Sequence, residues 1–156
     1  MDTGPERDVE KLYREHGARI WRAVYGYSGD REVANDALAE AFAQAIRRGD
    51  AIESPLAWIW RAAFRIAAGE LKERRARTVL AFEGSYEMPE TSEDLVRLLG
   101  QLSESQRAAL VLHHYAGYPA DEIAEMIGST SAAVRVHLMR GRRRLRELLR
   151  DDDDRP

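Results

Sequence analysis

Apolar residues recur every three or four positions along most of this chain, the spacing of amphipathic α-helices. Residues 7–27, 31–48 and 55–77 carry three such stripes. Serine followed by proline, as in Ser54-Pro55, is a favourable helix start, because serine caps the first turn and proline fits within it. The expected core positions are Val9, Leu12, Tyr13, Ile20, Val24, Tyr27, Val33, Ala34, Leu38, Phe42, Ala45, Ile46, Leu56, Ile59, Trp60, Ala63, Ile66, Ala67 and Leu71.

The second half of the chain resumes the helical spacing after an irregular stretch rich in Gly, Ser and Pro, residues 78–92, which we interpret as a linker. Residues 93–101 form the next predicted helix. Ser103-Glu-Ser-Gln106 has the sequence of a capping box and predicts the start of another. The expected core residues of this half are Leu95, Leu98, Leu99, Leu102, Leu110, Val111 and Tyr115.

The pattern predicts an all-α protein, because no useful length of chain alternates as a strand would. It divides into two small helical domains joined by a short linker. The predicted boundaries are residues 1–77 and 93–150 for the domains, 78–92 for the linker and 151–156 for an acidic tail.

A helix-turn-helix is predicted between Asp121 and Arg146. Ala124 is small enough for two helices to cross closely, and Gly128 can adopt the positive φ of a tight turn. Val134 follows at the place where a buried β-branched residue packs the second helix on the first. Exposed positions of that second helix carry groups that can donate to base edges and phosphates, and the C-terminal domain is therefore predicted to contain a DNA-binding helix.

Composition narrows the classes of function. The chain has 156 residues, 44% hydrophobic and 33% charged, and contains no cysteine, which excludes disulfides, thiolate metal sites and cysteine nucleophiles. It has neither a signal peptide at its start nor an apolar run of the length that a membrane helix needs. We expect a cytoplasmic protein without membrane insertion.

The charges are segregated, although the formal net charge is only -3. Residues 61–77 and 135–150 are strongly basic, whereas residues 83–125 are acidic. A solvated helix surface usually mixes both signs, so two separate basic segments favour two contacts with a polyanion.

The segment from Leu95 to Leu149, with "DEIAEMIGSTSAAVRVHLMRGRRRL" at its centre, resembles the C-terminal DNA-binding domain of the extracytoplasmic-function (ECF) group of bacterial sigma factors, which belong to the sigma-70 family. In the first half, "LYREHGARIWRAV", "GDREVANDALAEAFAQAIRR" and "PLAWIWRAAFRIAAGELKERR" resemble, in order, helices of that group's other domain, sigma region 2. The resemblance implies a factor that binds core RNA polymerase, directs it to promoters and helps to open the strands.

The resemblance also implies roles for individual residues. The C-terminal domain, which is like sigma region 4, would read the minus-thirty-five element and contact the polymerase flap. Its expected DNA-binding residues are Thr130, Ser131, Arg135, His137, Arg140, Arg142 and Arg143.

The region 2-like domain would hold the polymerase and the minus-ten element. The helix carrying Asp36, Glu40 and Gln44 would dock on the polymerase clamp helices, since these three residues are one turn apart and share a face. The expected minus-ten residues are Trp58, Arg61, Arg65, Lys72, Arg74 and Arg75, and Trp60 is either a further aromatic surface for a base or a core residue.

Two other readings stay open at this point. Arg65 and Gly69 stand where the family commonly has asparagine and aspartate, which would suit a sigma-like interaction protein that does not melt promoters. A conventional helix-turn-helix regulator is the second alternative, although residues 1–92 lack the features of a ligand-binding or dimerisation domain. No enzyme and no cofactor are expected. Adjacent His113 and His114 point about 100° apart on a helix, so they cannot bind one metal ion together.

The resemblance further implies an anti-sigma factor as a partner, since free members of the group are commonly held inactive by one. The acidic tail is interpreted as a solvated segment or, alternatively, as a competitor of DNA for the neighbouring arginines Arg142 to Arg146.

Overall fold

The computed structural model describes the backbone of residues 5–77 and 92–154, and these residues are helical apart from short connections. The helices are α1 (Pro5–Ser28), α2 (Arg31–Arg48), α3 (Pro55–Arg77), α4 (Ser92–Leu99), α5 (Glu104–Leu110), α6 (Ala120–Ile127) and α7 (Ser131–Asp153). A 3₁₀ turn, Gly49–Ala51, follows α2, and a π-helical turn, Val111–Tyr115, continues α5. The described residues contain no strand, and the predicted all-α class is confirmed.

The chain divides into two compact units, Met1–Val79 and Leu80–Pro156. The predicted linker, residues 78–92, lies outside the described residues except for Ser92, which already belongs to α4. The helix therefore begins one position earlier than predicted. A membrane-spanning helix is absent from the part of the chain that the structure describes.

The first unit is built from α1, α2 and α3, which pack against one another along their apolar stripes. Ile20, Val24, Val33 and Ile59 are fully buried between them. Asp30 caps α2, since its carboxylate accepts hydrogen bonds from the backbone N–H groups of the next helix turn, Glu32 at 2.9 Å and Val33 at 3.3 Å. The core thus fixes α2 and α3 side by side, with one face of each turned to solvent.

Two of the predicted core residues of the first unit are exposed. Tyr13 is 52% exposed. Its ring contacts the ring of Phe42 edge-on, with the ring centroids 5.1 Å apart, and the rest of the side chain is in solvent. Ile46 is also exposed. It lies about 100° around α2 from buried Ala45, at the flank of the apolar stripe rather than within it.

The second unit is built around α5 and α7, with α4 and α6 packed beside them. The predicted capping box is confirmed: Ser103 Oγ accepts from the Gln106 N–H at 3.2 Å, and Gln106 Oε1 accepts from the Ser103 N–H at 3.3 Å. Gly141 lets α7 approach α5 closely, since a Cβ at this position would lie 3.1 Å from Leu110 Cδ1. Leu99, Leu102, Leu110 and Val111 are buried as predicted.

Tyr115 and Leu95 are exposed, contrary to prediction. The cause for Tyr115 is the π-helical turn, in which the Ala116 N–H donates to the Val111 carbonyl at 3.1 Å. A π turn holds an extra residue and rotates the following side chains away from the stripe that a regular α-helix would continue. Leu95 lies one turn before buried Leu99 on the short helix α4 and is 51% exposed.

Candidate nucleic-acid interface

The turn between α6 and α7 has the geometry that the helix-turn-helix prediction requires. Gly128 ends α6 in the left-handed conformation, with φ 66° and ψ 44°, and its N–H donates to the Ala124 carbonyl. The Ser129 N–H donates to the same carbonyl at 2.8 Å. Ala124 is buried at the helix crossing, and Val134 is completely buried. The turn therefore holds α7 at a fixed angle on α6.

Thr130, a predicted base-contacting residue, caps α7. Its Oγ1 accepts a hydrogen bond from the Ala133 N–H at 3.1 Å, and its carbonyl accepts from Val134 at 2.9 Å. The hydroxyl proton of Thr130 remains able to donate, since the cap uses only the oxygen's acceptor capacity. Ser131 begins α7 and is half-buried.

Side chains leave α7 in three outward rows, because successive residues turn by about 100°. Val134 and Leu138 define the buried side. The row opposite to them is central and contains Ala132, Val136, Met139 and Arg143, all exposed. One flanking row contains Arg135, Arg142 and Arg146, and the other contains His137, Arg140 and Arg144.

Two arginines of the first flanking row contact the rest of the unit. An Arg135 guanidinium nitrogen lies 3.7 Å from Asp121 Oδ1 on α6. Arg142 Nε donates to His114 Nε2 at 3.0 Å. The structure thus brings this row of α7 beside α6 and the π-helical turn, while leaving Arg135 substantially exposed.

The π-helical turn supplies the histidine that Arg142 contacts. His113 and His114 meet with ring centroids 4.9 Å apart, but their hydrogen bonds diverge: His113 Nδ1 lies 2.9 Å from the Tyr118 carbonyl oxygen, whereas His114 faces Arg142. Desolvation lowers the pKa of His114, and the charge of Arg142 and the neighbouring His113 lower it further. His114 therefore favours the neutral form that can accept from Arg142.

A second basic row lies on α3 in the first unit. Trp58, Arg61, Arg65 and Lys72 share one side of this helix, since their spacings of three, four and seven residues return to the same face. Arg61, Arg65 and Lys72 are exposed, and Trp58 is half-buried, with the Arg48 guanidinium 5.3 Å from the centre of its ring. Gly69 lies within the same row, with open space beside its Cα.

One predicted minus-ten residue with a described side chain, Arg74, is not part of that row. Arg74 points to the opposite side of α3 and forms ion pairs with Asp30 and, at 3.1 Å, with Glu32. It thereby ties α3 to the capped start of α2. Trp60 is buried and stacks against Phe64, with ring centroids 6.3 Å apart, which settles the open choice for this residue in favour of the core. The Arg75 side chain lies outside the described residues.

The predicted polymerase-binding residues lie along one side of α2. Asp36 and Glu40 are exposed, and Gln44 is half-buried. Gln44 Nε2 and an Arg47 guanidinium nitrogen both donate to Glu40 Oε1 at 3.0 Å. These hydrogen bonds, from Gln44 first and Arg47 second, lower the pKa of Glu40. The face therefore presents a fixed anionic group.

Glu70 on α3 is a titratable group that the sequence did not single out. Its Oε2 is buried and has no hydrogen-bond partner among the described residues. Desolvation, followed by the nearby charge of Asp36, raises the pKa of Glu70, although Arg74 acts in the opposite direction. A protonated carboxyl is thus easier to accommodate here than a carboxylate.

The acidic tail continues α7, which ends at Asp153. A helix rises about 1.5 Å per residue, so Asp151 lies roughly 13 Å along the axis from Arg142. While the segment stays helical, its first aspartates cannot fold back on Arg142. Arg143 to Arg146, the other arginines of the competing interpretation, lie nearer to the tail, so both interpretations stay predictions; Asp151 and Asp153 are exposed.

The residues that hold predicted site residues in place were not predicted from the sequence. Asp121 and Arg48 carried no signal beyond their charge, and His114 was considered only as a metal ligand. Met139 could have been found, because a large apolar residue one turn after Arg135 on a basic helix interrupts the polar pattern of the exposed side.

Known proteins are similar to this chain over most of its length. A model of the family "Sigma-70, region 4" matches residues 92–145, the part that contains α4 to α6 and most of α7. The chain is 30% identical to the ECF RNA polymerase sigma factor SigM of Mycobacterium tuberculosis (strain ATCC 25618 / H37Rv), over 94% of this chain and 80% of that protein. It is 29% identical to SigL of the same strain, over 92% of this chain and 89% of that protein.

Solved structures share the fold. CnrH, in complex with the cytosolic domain of CnrY, matches with a TM-score of 0.71 at 21% identity, over 96% of this chain and 90% of that one. The sigma factor RpoE of Bartonella quintana, in complex with the anti-sigma factor NepR, also matches with a TM-score of 0.71, at 20% identity and over 94% of this chain and 99% of that one.

Proposed function

Because the chain belongs to the ECF sigma factors of bacterial RNA polymerase, it binds core polymerase and directs it to promoters, and we propose that it grips promoter DNA with two helices, α7 upstream and α3 downstream. The observation that carries this proposal is the arrangement of α7 in the helix-turn-helix. Cationic rows stand on both flanks of its exposed side, opposite a buried side that fixes the helix.

The upstream contact is the minus-thirty-five element, read by α7 in the major groove. A groove-bound helix turns its central row to the base edges and its flanks to the two phosphate backbones. Arg140 and Arg143 are exposed on that side, and Arg142 is held by His114 next to it. The N-terminal residues of a groove-bound recognition helix contact the base edges. Thr130, Ser131 and Arg135, at the start of α7, are therefore the candidate base contacts, and His137 follows them on the same helix.

The downstream contact is the minus-ten element, held by the α3 row. Separated strands bind to cations through their phosphates and to aromatic rings through their bases. Arg61, Arg65 and Lys72 supply the cations of this row, and the half-buried Trp58 supplies a ring. Arg74 acts from the other side of the helix, where its ion pairs with Asp30 and Glu32 stabilise the junction of α2 and α3.

Core polymerase is bound through the α2 face that Asp36, Glu40 and Gln44 form. The hydrogen bonds from Gln44 and Arg47 hold the Glu40 carboxylate in one place, which suits an ionic contact with a basic helix such as those of the polymerase clamp. The second unit contacts the polymerase flap. An anti-sigma factor is the proposed regulatory partner of the free protein. The structural relative RpoE forms a complex with the anti-sigma factor NepR, which supports this.

The reaction itself belongs to the polymerase, so this chain acts without a cofactor and is not an enzyme. Promoter DNA and polymerase are cytoplasmic in bacteria, and this is where the protein works. The second candidate, a polymerase-binding protein that does not melt DNA, is favoured by Arg65 and Gly69 in the α3 row, where the family commonly has asparagine and aspartate.

Transcription from matched templates tests the proposal. Core polymerase with the full-length protein is given a promoter fragment either as a perfect duplex or with mismatched, already open strands around the start. RNA from both templates is the expected result, because the α3 row can hold an opened strand. RNA from the open template alone would favour the non-melting candidate, and promoter-independent RNA from both would contradict the proposed function.

A further inference from the structure

The central row of α7 is apolar from Ala132 to Met139, before it reaches Arg143. Val136 is 38% exposed and Met139 is 60% exposed, although both stand among arginines on a helix that could carry polar residues there. With Ala132 they form a continuous row, since the spacings of four and three residues place them on adjacent turns. Val134 and Leu138, on the opposite side, already fill the core, so the fold has no need of this second apolar row.

The basic rows on either side determine what this apolar row can meet. Arg142 and Arg146 stand on one flank, and Arg140 and Arg144 stand on the other. Long cationic side chains on both flanks of a groove-bound helix reach the two phosphate backbones. The central row is then left facing the edges of the base pairs.

Base-pair edges in the major groove carry hydrogen-bond donors, acceptors and one apolar group, the C5-methyl of thymine. Valine and methionine side chains cannot pair with the donors or acceptors, but they can bury a methyl group. We propose that Val136 and Met139 are specificity-determining residues of the upstream contact and select thymine by packing on its C5-methyl group. This inference rests on the proposed function, in which α7 reads the upstream element.

Deoxyuridine provides the test, because it differs from thymidine only in lacking this methyl and leaves base pairing and the O4 acceptor unchanged. Promoter fragments with a randomised upstream element are prepared in a thymine form and a deoxyuridine form of that element alone. Each fragment also carries a transcribed barcode that identifies its pool and its upstream sequence. Core polymerase with the full-length protein transcribes the two pools in competition, and the barcodes of the transcripts are counted by sequencing.

We expect the thymine pool to be preferred, by about threefold to fourfold for each methyl that is buried. The preferred sequences should carry thymine at fixed positions of the upstream element. Val136→Ser removes both methyl groups of the side chain, Met139→Gln keeps its approximate length, and the double variant should lose the preference. Leu149→Gln is the matched control, since Leu149 is also an exposed apolar residue of α7 but lies beyond the helix-turn-helix; it should keep the preference.

Three other results would each contradict either this inference or the proposed function. Equal use of the two pools by the unaltered protein, with initiation intact, would overturn the inference and leave the proposed function standing. Absence of promoter-dependent RNA from either pool would overturn the proposed function itself. If the double variant, checked for an unchanged melting temperature, kept the thymine preference but bound core polymerase more weakly, the apolar row would be a protein-docking surface and the inference would be wrong.

Discussion

The contact between His114 and Arg142 depends on the protonation of a single ring. Arg142 Nε donates at 3.0 Å, so His114 Nε2 must carry a free lone pair, and the proton of the neutral ring must lie on Nδ1. A protonated ring would lose this hydrogen bond and place a second positive charge beside the guanidinium. The pKa of His114 is lowered accordingly, mainly by desolvation and then by Arg142.

Acidification should therefore destabilise the protein through His114. Because the pKa of His114 is lower in the folded chain than in the unfolded chain, the unfolded chain binds more protons as the pH falls through about 6.5. This loss of stability should be smaller in His114→Gln, whose amide oxygen can accept from Arg142 at any pH. Urea unfolding measured from neutral to mildly acidic pH checks this, and equal pH dependence of the two proteins would contradict it.

Glu70 should have the opposite pH dependence. Its pKa is raised above 4.5 by desolvation and by Asp36, so the folded chain binds the proton more tightly and the ionised form is unfavourable at neutral pH. We expect Glu70→Gln to raise the melting temperature at neutral pH, and this gain should shrink as the pH falls towards the pKa of the carboxyl. Glu53→Gln, which removes an exposed acid, is the control and should have little effect. A lower melting temperature for Glu70→Gln at neutral pH would show that the ionised carboxylate is stabilising.

At the level of the helices, the apolar stripes predicted most of the structure. The spacing located all three helices of the first unit, and the capping box located the start of α5. The apolar spacing failed where the helix changes its period. Nothing in the sequence of residues 111–115 distinguishes a π turn from an α turn, and the prediction that Tyr115 is a core residue was therefore wrong. A local change of hydrogen bonding depends on packing against the rest of the unit, which periodicity alone does not contain.

The same substitution at two glycines should have opposite effects on stability. Gly69 lies within α3 with open space around it, so Gly69→Ala should stabilise the fold by about 0.5–1 kcal/mol through helix propensity. Gly128 has φ 66° at the turn before α7, where a Cβ strains the backbone, and Gly128→Ala should cost about 1–2 kcal/mol. Chemical denaturation measures both values. A gain from Gly128→Ala would mean that the turn does not need its left-handed conformation.

For the protein as a whole, the charge pattern predicted two basic surfaces, and the structure places them in different units. The individual site residues were only partly predictable. Exposure of Arg61, Arg65, Arg140 and Arg143 follows from helical periodicity, whereas the ion pairs of Arg74 and the hydrogen bond of Arg142 join residues far apart in the chain. Sequence patterns carry no signal for such contacts, and the bases that each helix prefers depend on how it docks on DNA.

The salt dependence of promoter binding should report the two surfaces separately. Each phosphate contact that is removed lowers the slope of log affinity against log salt by about 1. Lys72→Ala and Arg143→Ala should each have this effect. In the double variant the slope should fall by about 2, since the two residues lie in different units. Arg97→Ala is the control, because this exposed arginine of α4 belongs to neither row. An unchanged slope for either single variant would remove that residue from the DNA contact.

In the proposed function, one chain directs polymerase to promoters through two helices that read different elements. The most direct measurement is to map the transcript starts that core polymerase produces on fragmented bacterial genomic DNA with the unaltered protein, with Arg135→Ala and with Arg65→Ala. We predict starts that share an upstream and a downstream motif, an altered upstream motif with Arg135→Ala, and an altered downstream motif with Arg65→Ala. The same starts with and without the protein, or identical motifs for all three chains, would show that α7 and α3 do not select promoters through Arg135 and Arg65.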